Sequence, residues 1–189
     1  VDVADLLDRE IVQADFVGIR EFFSDKKVLI TGAGGSIGSE LARSLFQNQP
    51  AELILIDNSE NNLYEIEAEL QERQPETQIR SYLCDVTNQR EIEKIFDLHR
   101  PHIVYHAAAH KHVPLIEKYF RQGILNNVLG TKILADLSLY YNVGQFIFFS
   151  SDKALRPNSI MGVTKRIAEL YLQSLKNRMT RFVSVRFGN

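Results

Sequence analysis

Apolar residues along the chain follow two alternating rhythms. Short β-branched or aromatic runs occur at Lys27–Thr31, Leu53–Ile56, Ile79–Leu83, Ile103–Tyr105, Phe146–Phe149 and Phe182–Val185. Each is too short for a helix, the signature of a buried strand. Between them, apolar residues recur at three- and four-residue spacing. Ile37, Leu41 and Leu45 mark a first helix, and Leu63, Ile66 and Leu70 a second, entered at Ser59 as its N-cap. Ile92, Ile95 and Phe96 mark a third. The stretch from about Leu115 to Tyr141 reads as one or two helices broken at Gly123. Met161 to Leu175 is the last, carrying Ile167, Leu170, Tyr171 and Leu175.

The order is strand then helix, repeated, closing on a sixth strand. Strands joined by helices run parallel, and such crossovers are right-handed. The prediction is an α/β fold, a doubly wound parallel sheet of about six strands with helices on both faces. Residues 1–25 precede the first strand as a linker or flanking element, with Val3, Leu6, Leu7 and Ile11 spaced for one short amphipathic helix. Val1 in place of Met, and an end at Asn189 just after a strand-like run, predict a fragment of a longer protein.

Composition narrows the function classes. The 189 residues suffice for one domain with a core. Lys plus Arg is 22 against 24 Asp plus Glu, a net charge of −2, which argues against a protein that coats nucleic acid. The 44% hydrophobic and 24% charged content is globular. One cysteine excludes an intrachain disulfide framework and a multi-cysteine metal cluster. No run approaches the roughly 18 apolar residues of a membrane span, and no secretory signal pattern is present.

The first strand runs into Thr31-Gly32-Ala33-Gly34-Gly35-Ser36-Ile37-Gly38, with glycines at 32, 35 and 38. Such spacing permits a tight turn, a close approach of backbone N–H groups to a pyrophosphate, and close helix–strand packing. The helix N-terminus adds partial positive charge. No Gly-Lys-Ser/Thr follows, which excludes a mononucleotide P-loop. The second strand ends at Asp57, the acidic position that accepts hydrogen bonds from an adenosine ribose. Asn58, Ser59 and Glu60 supply no cation for a 2′-phosphate, so NAD is favoured, with NADP the alternative. The sheet is therefore expected to be of Rossmann type, strand order 3-2-1-4-5-6, over residues 26–189.

Further blocks give the chain a family likeness. It resembles the extended short-chain dehydrogenase/reductase superfamily, and within it the polysaccharide-biosynthesis branch of UDP-N-acetylglucosamine 4,6-dehydratases. The blocks are the glycine loop, Cys84-Asp85-Val86, His106-Ala107-Ala108-Ala109, Asn127-Val128-Leu129-Gly130-Thr131, Ser150-Ser151-Asp152-Lys153, Met161-Gly162-Val163-Thr164-Lys165 and Arg186-Phe187-Gly188-Asn189. The resemblance implies that Gly32, Gly35, Ser36, Ile37, Gly38, Asp57, Asn58, Asp85, Val86, Ala107, Ala108 and Lys165 bind NAD. It implies Ser151, Asp152, Lys153, Met161 and Lys165 at the catalytic centre: Lys153 the base at C5, Asp152 the acid at the 6-hydroxyl, Ser151 the holder of the 4-oxygen. Lys165 would hold the nicotinamide ribose. The superfamily's catalytic Tyr is Met161 here, as in long members of this branch; Met161 has no titratable proton. A base Lys must be neutral and an acid Asp protonated, so Asp152 is expected to have a raised pKa.

Lys111, His112, Asn127, Arg186 and Asn189 are the candidates for substrate contact. Asn127 is also readable as a helix-kink or water-satisfied helix residue, and Arg186 as an edge salt bridge. His106, His110 and His112 invite a metal reading, but no acidic or cysteine ligand accompanies them and no metal site is expected. Expected partners are a UDP-sugar and a second copy of the chain. Helices 115–141 and 161–175, with Ile133, Leu137, Ile167 and Leu170, resemble a four-helix dimer interface, so a homodimer or larger even oligomer is expected. The resemblance implies a sugar-nucleotide lobe C-terminal to the sixth strand. It also implies a cytoplasmic location, or the cytoplasmic face of the inner membrane if the parent is anchored there. Rival readings are a nucleotide-sugar 4-epimerase or dehydrogenase and a non-catalytic cofactor-sensing module.

Overall fold

The computed structural model describes residues 16–73, 76–175 and 179–188. The helix expected around Val3–Ile11 and the candidate Asn189 lie outside the described residues. A helix, α1 (Phe16–Phe23), occupies the segment just before the first strand. Then come β1 (Lys27–Thr31), α2 (Ser36–Gln47), β2 (Glu52–Asp57), α3 (Glu60–Glu72), β3 (Gln78–Leu83), α4 (Gln89–His99) and β4 (Ile103–His106). The second half holds α5 (Val113–Lys118), α6 (Phe120–Ile124), α7 (Gly130–Tyr140), β5 (Gln145–Ser151), α8 (Ile160–Ser174) and β6 (Arg181–Phe187).

The strands form one parallel sheet in the order β3-β2-β1-β4-β5-β6, as the pattern predicts. Every residue of the inner strand β2 is buried, which explains its nearly continuous apolar run. Period-two alternation splits the core into two layers. Leu29, Ile54, Ile56, Val104, Phe146 and Phe148 pack under α4, α7 and α8. Val28, Ile30, Leu53, Leu55 and Ile103 pack under α2 and α3, with Phe23 and Ile19 of α1 joining them. The parallel register brings the C-terminal ends of β1, β2, β4 and β5 to one edge, where the candidate site residues gather.

The 115–141 region departs from expectation. Gly123 lies inside α6 and breaks nothing. A Cβ there would sit 2.7 Å from the Ile116 methyl Cγ2, so this glycine permits the contact between α5 and α6. The break falls at Tyr119, whose φ of −122° and ψ of 52° are not helical. Between α6 and α7 the backbone widens into a π-helical stretch, Leu125–Leu129, which turns Asn126 and Asn127 into the interior. Ile133 and Leu137 of α7 are core residues, 6% exposed, and so cannot serve the dimer face expected of them. Ile167 and Leu170 of α8 are exposed. Among the described residues no helix is long and apolar enough to cross a membrane.

Candidate active site

The turn after β1 is dictated by its glycines. Gly32 has φ +68°, and a Cβ there would meet the Ala108 backbone nitrogen at 2.6 Å. A Cβ on Gly38 would lie 1.9 Å from the Gly32 carbonyl oxygen, so α2 packs against the loop only because residue 38 has no side chain. α2 starts at Gly35 with no side-chain cap, leaving its first N–H donors to whatever fills the cleft. Lys111 reaches across to this terminus, its Nζ 3.4 Å from Ser36 Oγ.

Asp57 is tied into the loop. Its Oδ2 accepts from Gly34 N at 2.9 Å and its Oδ1 from Ser59 N at 2.9 Å. Ser59 begins α3 as foreseen, but its own side chain makes no cap bond. Asp85 is spent locally: its carboxylate accepts from Thr87 N and Oγ1, and from Asn58 Nδ2 at 3.4 Å.

Two adjoining cavities follow the C-terminal sheet edge. One, of about 170 Å³, is lined by Asp57, Asn58, Cys84, Val86, Ala108 and Asn126 among others. The second, of about 520 Å³, takes in Ser36, Ile37, Gly38, Lys111, His112, Ser151, Lys153, Met161 and Lys165. Gly32, Gly35, Ala107 and Ala109 border both. A pair of joined cavities around an uncapped helix N-terminus and a bare glycine cradle fits an elongated dinucleotide.

Ser151 begins a 3₁₀ turn, Asp152–Ala154, straight after β5. Its hydroxyl donates to Asp152 Oδ1 at 2.9 Å, and Lys153 N donates to the same carboxylate oxygen at 2.7 Å. Lys153 Nζ lies 3.7 Å from Asp152 Oδ1. Ser151 and Lys153 line the larger cavity; Asp152 stands beside it with its side chain 53% exposed. The Ser151 hydroxyl holds the Asp152 carboxyl below its ordinary range, the reverse of the elevation an acid role called for. In this exposed setting the hydrogen bonds and the nearby Lys153 charge outweigh the burial penalty that would raise it.

Strong desolvation falls on Lys165. Ser159 caps α8 by accepting from Gly162 N, and Glu117 of α5 accepts from Ile160 N at 2.7 Å, fixing the helix start. One turn apart on that helix, Met161 and Lys165 are both 5% exposed and both line the cavity. Lys165 Nζ donates to the Phe149 carbonyl at 2.8 Å and lies 4.5 Å from the Phe148 ring centroid. Burial pushes this ammonium down to about 7.

Beneath the site runs a buried hydrogen-bond chain. Thr131 Oγ1 donates to Asn127 O at 2.7 Å, so His106 Nε2 must be the donor to Thr131 Oγ1, 2.9 Å away. His106 Nδ1 then accepts from Thr31 Oγ1 at 2.7 Å. Burial, and then the Lys165 charge, push His106 down to about 3, so it is neutral. The imidazole is thereby committed to two threonines rather than to a shared histidine site. Asn127, 1% exposed, bonds His110 N and O at 2.8 and 3.0 Å, and Thr164 Oγ1 at 3.0 Å. It joins the loop after β4 to α8, the helix-kink alternative rather than a substrate contact.

Arg186 resolves the same way. It grips the fully buried Glu169 through two bonds of 2.8 and 2.7 Å. It does not line the cleft; its neighbours Phe187 and Gly188 do. Phe187 stacks on Phe149 at 5.7 Å and 15°. Sequence reasoning passed over this aromatic wall, although alternation along β5 places Phe149 on the same face as Ser151.

The sheet order and the cleft at its C-terminal edge define a Rossmann-type domain. A family model described as "polysaccharide biosynthesis protein" matches residues 28–189, and the chain belongs to that family. It is 44% identical over its whole length to the capsular polysaccharide biosynthesis protein CapD of Staphylococcus aureus, covering 32% of that protein. Among solved structures it is similar to Pen from Bacillus thuringiensis, with TM-score 0.81 and 31% identity over 89% of this chain and 51% of that one. The UDP-glucose 4-epimerase of Brucella ovis in complex with NAD shares the fold, with TM-score 0.73 and 23% identity over 87% of this chain and 52% of that one. The chain thus spans about a third of its capsular-type relative and about half of these structures.

Proposed function

We propose that the chain is the NAD-binding catalytic domain of a nucleotide-sugar 4,6-dehydratase acting on UDP-N-acetylglucosamine for polysaccharide synthesis. The observation that carries this reading is the lip of the larger cavity. Ser151 and Lys153 stand there, with Asp152 alongside, opposite a buried Met161 where a tyrosine-dependent relative has its phenol. NAD names of solved relatives support the cofactor, as does Asp57 at the end of β2.

Bound NAD would accept the hydride of sugar carbon 4 and return it at carbon 6. The protein's own residues do the rest. The first-turn N–H groups of α2, with Lys111 above them, offset diphosphate charge. Lys153 takes the carbon 5 proton, made acidic by the 4-keto group. Asp152 protonates the departing 6-hydroxyl. When the sugar's 4-oxygen takes the Ser151 hydroxyl, Asp152 loses the largest of the interactions that hold its pKa down, which makes it easier to protonate. One event therefore positions the sugar and shifts Asp152 toward its acid form.

A 4-epimerase shares the oxidation at carbon 4, and the name of the Brucella relative points that way. Mass analysis of the product from UDP-N-acetylglucosamine separates the two. Loss of one water supports the dehydratase; a product of unchanged mass supports the epimerase.

A further inference from the structure

With Met161 in the wall, oxidation at carbon 4 lacks an evident acceptor for the 4-hydroxyl proton. The groups around Lys165 supply one. The amine lines the cavity beside Met161, and Phe149 O takes one of its N–H bonds in either protonation state. Its potential counter-ion is Glu169, one turn further along α8 and 0% exposed. That carboxylate is committed elsewhere: Arg186 of β6 holds both of its oxygens and Arg166 lies 3.3 Å from Oε2. The other titratable groups facing the amine are His106 of β4, neutral between its threonines, and Lys153 at the cavity lip. Of these only Glu169 favours an ammonium, and the burial of the amine outweighs it.

We propose that Lys165, as the neutral amine, takes the proton of the sugar 4-hydroxyl, and that Arg186 keeps it neutral by withholding Glu169. The proposal rests on the reading that carbon 4 is oxidised here. The balance is simple. The O–H bond breaks, its proton joins the Nζ lone pair, carbon 4 becomes a ketone, and its hydride goes to oxidised NAD. In a dehydration the proton gained equals the one consumed by the departing 6-hydroxyl, so the cycle closes. Burial lowers the amine to about 7, the range in which a base works at neutral pH. Arg186 is then a positioning residue acting through Glu169.

The test uses intact protein labelled with ¹⁵N-lysine. Nuclear magnetic resonance follows Nζ against pH, the Lys165 signal being identified by its loss in Lys165→Met. It is expected to titrate near 7. In Arg186→Gln the released carboxylate should raise that midpoint by about one unit or more. Glu169→Gln guards against misfolding in the arginine variant; it removes the carboxylate while keeping its shape, and its midpoint should not rise. In parallel, reduced-cofactor absorbance after one addition of UDP-sugar should fall about tenfold per pH unit below 7, and that profile should shift upward in Arg186→Gln with the midpoint. A Lys165 midpoint near 10 overturns the proposal, as does an oxidation profile that ignores the shift. Oxidation that tracks Lys165 but gives a product of unchanged mass overturns the dehydratase reading alone. Absence of any cofactor reduction overturns both.

Discussion

Asn127→Ala should cost the fold more than any other polar substitution around the π-helical stretch. The amide makes four hydrogen bonds: to His110 N, His110 O, Thr164 Oγ1 and Asn126 Nδ2. It is 1% exposed, so no water replaces it in place. Thr164 is also buried and already donates to the Met161 carbonyl at 2.7 Å; His110 is exposed enough for its backbone groups to recover partners. At about 1 kcal/mol per bond lost, less the two that water restores, the loss is about 2 kcal/mol. In a domain of this size that lowers Tm by roughly 4–8 °C. Asn127→Asp keeps the acceptor for His110 N but loses both donated bonds, and adds a buried charge, so it should be no milder. The loop 107–110 lines both cavities, so NAD affinity should fall about tenfold as that loop loosens, a change of about 1.4 kcal/mol. Urea unfolding and calorimetry with NAD measure the two effects. A loss under about 0.5 kcal/mol, below the worth of one bond, would refute the view that Asn127 fastens the loop to α8.

Asp57→Ala should weaken NAD binding and narrow the preference over NADP, as read by calorimetry with each cofactor; a preference for NADP in the unmodified protein would contradict the assignment. Lys153→Ala should abolish dehydration and solvent exchange at carbon 5 with NAD affinity nearly unchanged, and an equal loss of NAD binding would make Lys153 structural. His106 protonates near 6.5 when unfolded and only about 3 when folded, so the unfolded chain binds the extra proton between these values. Stability should therefore fall as pH drops through that window, with a slope of up to about 1.4 kcal/mol per unit from this group; urea titrations of His106→Asn should lack that component. We propose a homodimer through α8, and Leu170→Arg should yield a monomer in sedimentation, because Leu170 is 48% exposed and apolar; an unmodified protein that is monomeric at high concentration would contradict it.

The sheet was legible because its strands are short, those at its middle (β1, β2 and β4) are buried nearly throughout, and helices of clear period separate them. The glycine loop and Asp57 were legible because their backbone geometry restricts which residues fit. The π-helical stretch was not, since its one-residue widening leaves no mark in apolar spacing. Gly123 misled for a related reason: a glycine that admits a methyl group looks, in sequence, like one that ends a helix. Ile133 and Leu137 misled because an apolar stripe does not say whether it faces its own sheet or another subunit. Arg186 and Glu169 are far apart in sequence and meet only through the packing of α8 on the edge strand β6. Lys165 was found by its spacing from Met161, but its desolvation belongs to the assembled cleft.

The central claim is tested most directly by supplying the intact protein with NAD and UDP-N-acetylglucosamine carrying deuterium at carbon 4. Mass spectrometry and nuclear magnetic resonance then locate the label in the product. The account predicts loss of one water and deuterium at carbon 6, returned from the cofactor after passing over the cleft formed by Ser151, Lys153 and Lys165. Deuterium retained at carbon 4 in a product of unchanged mass would contradict it.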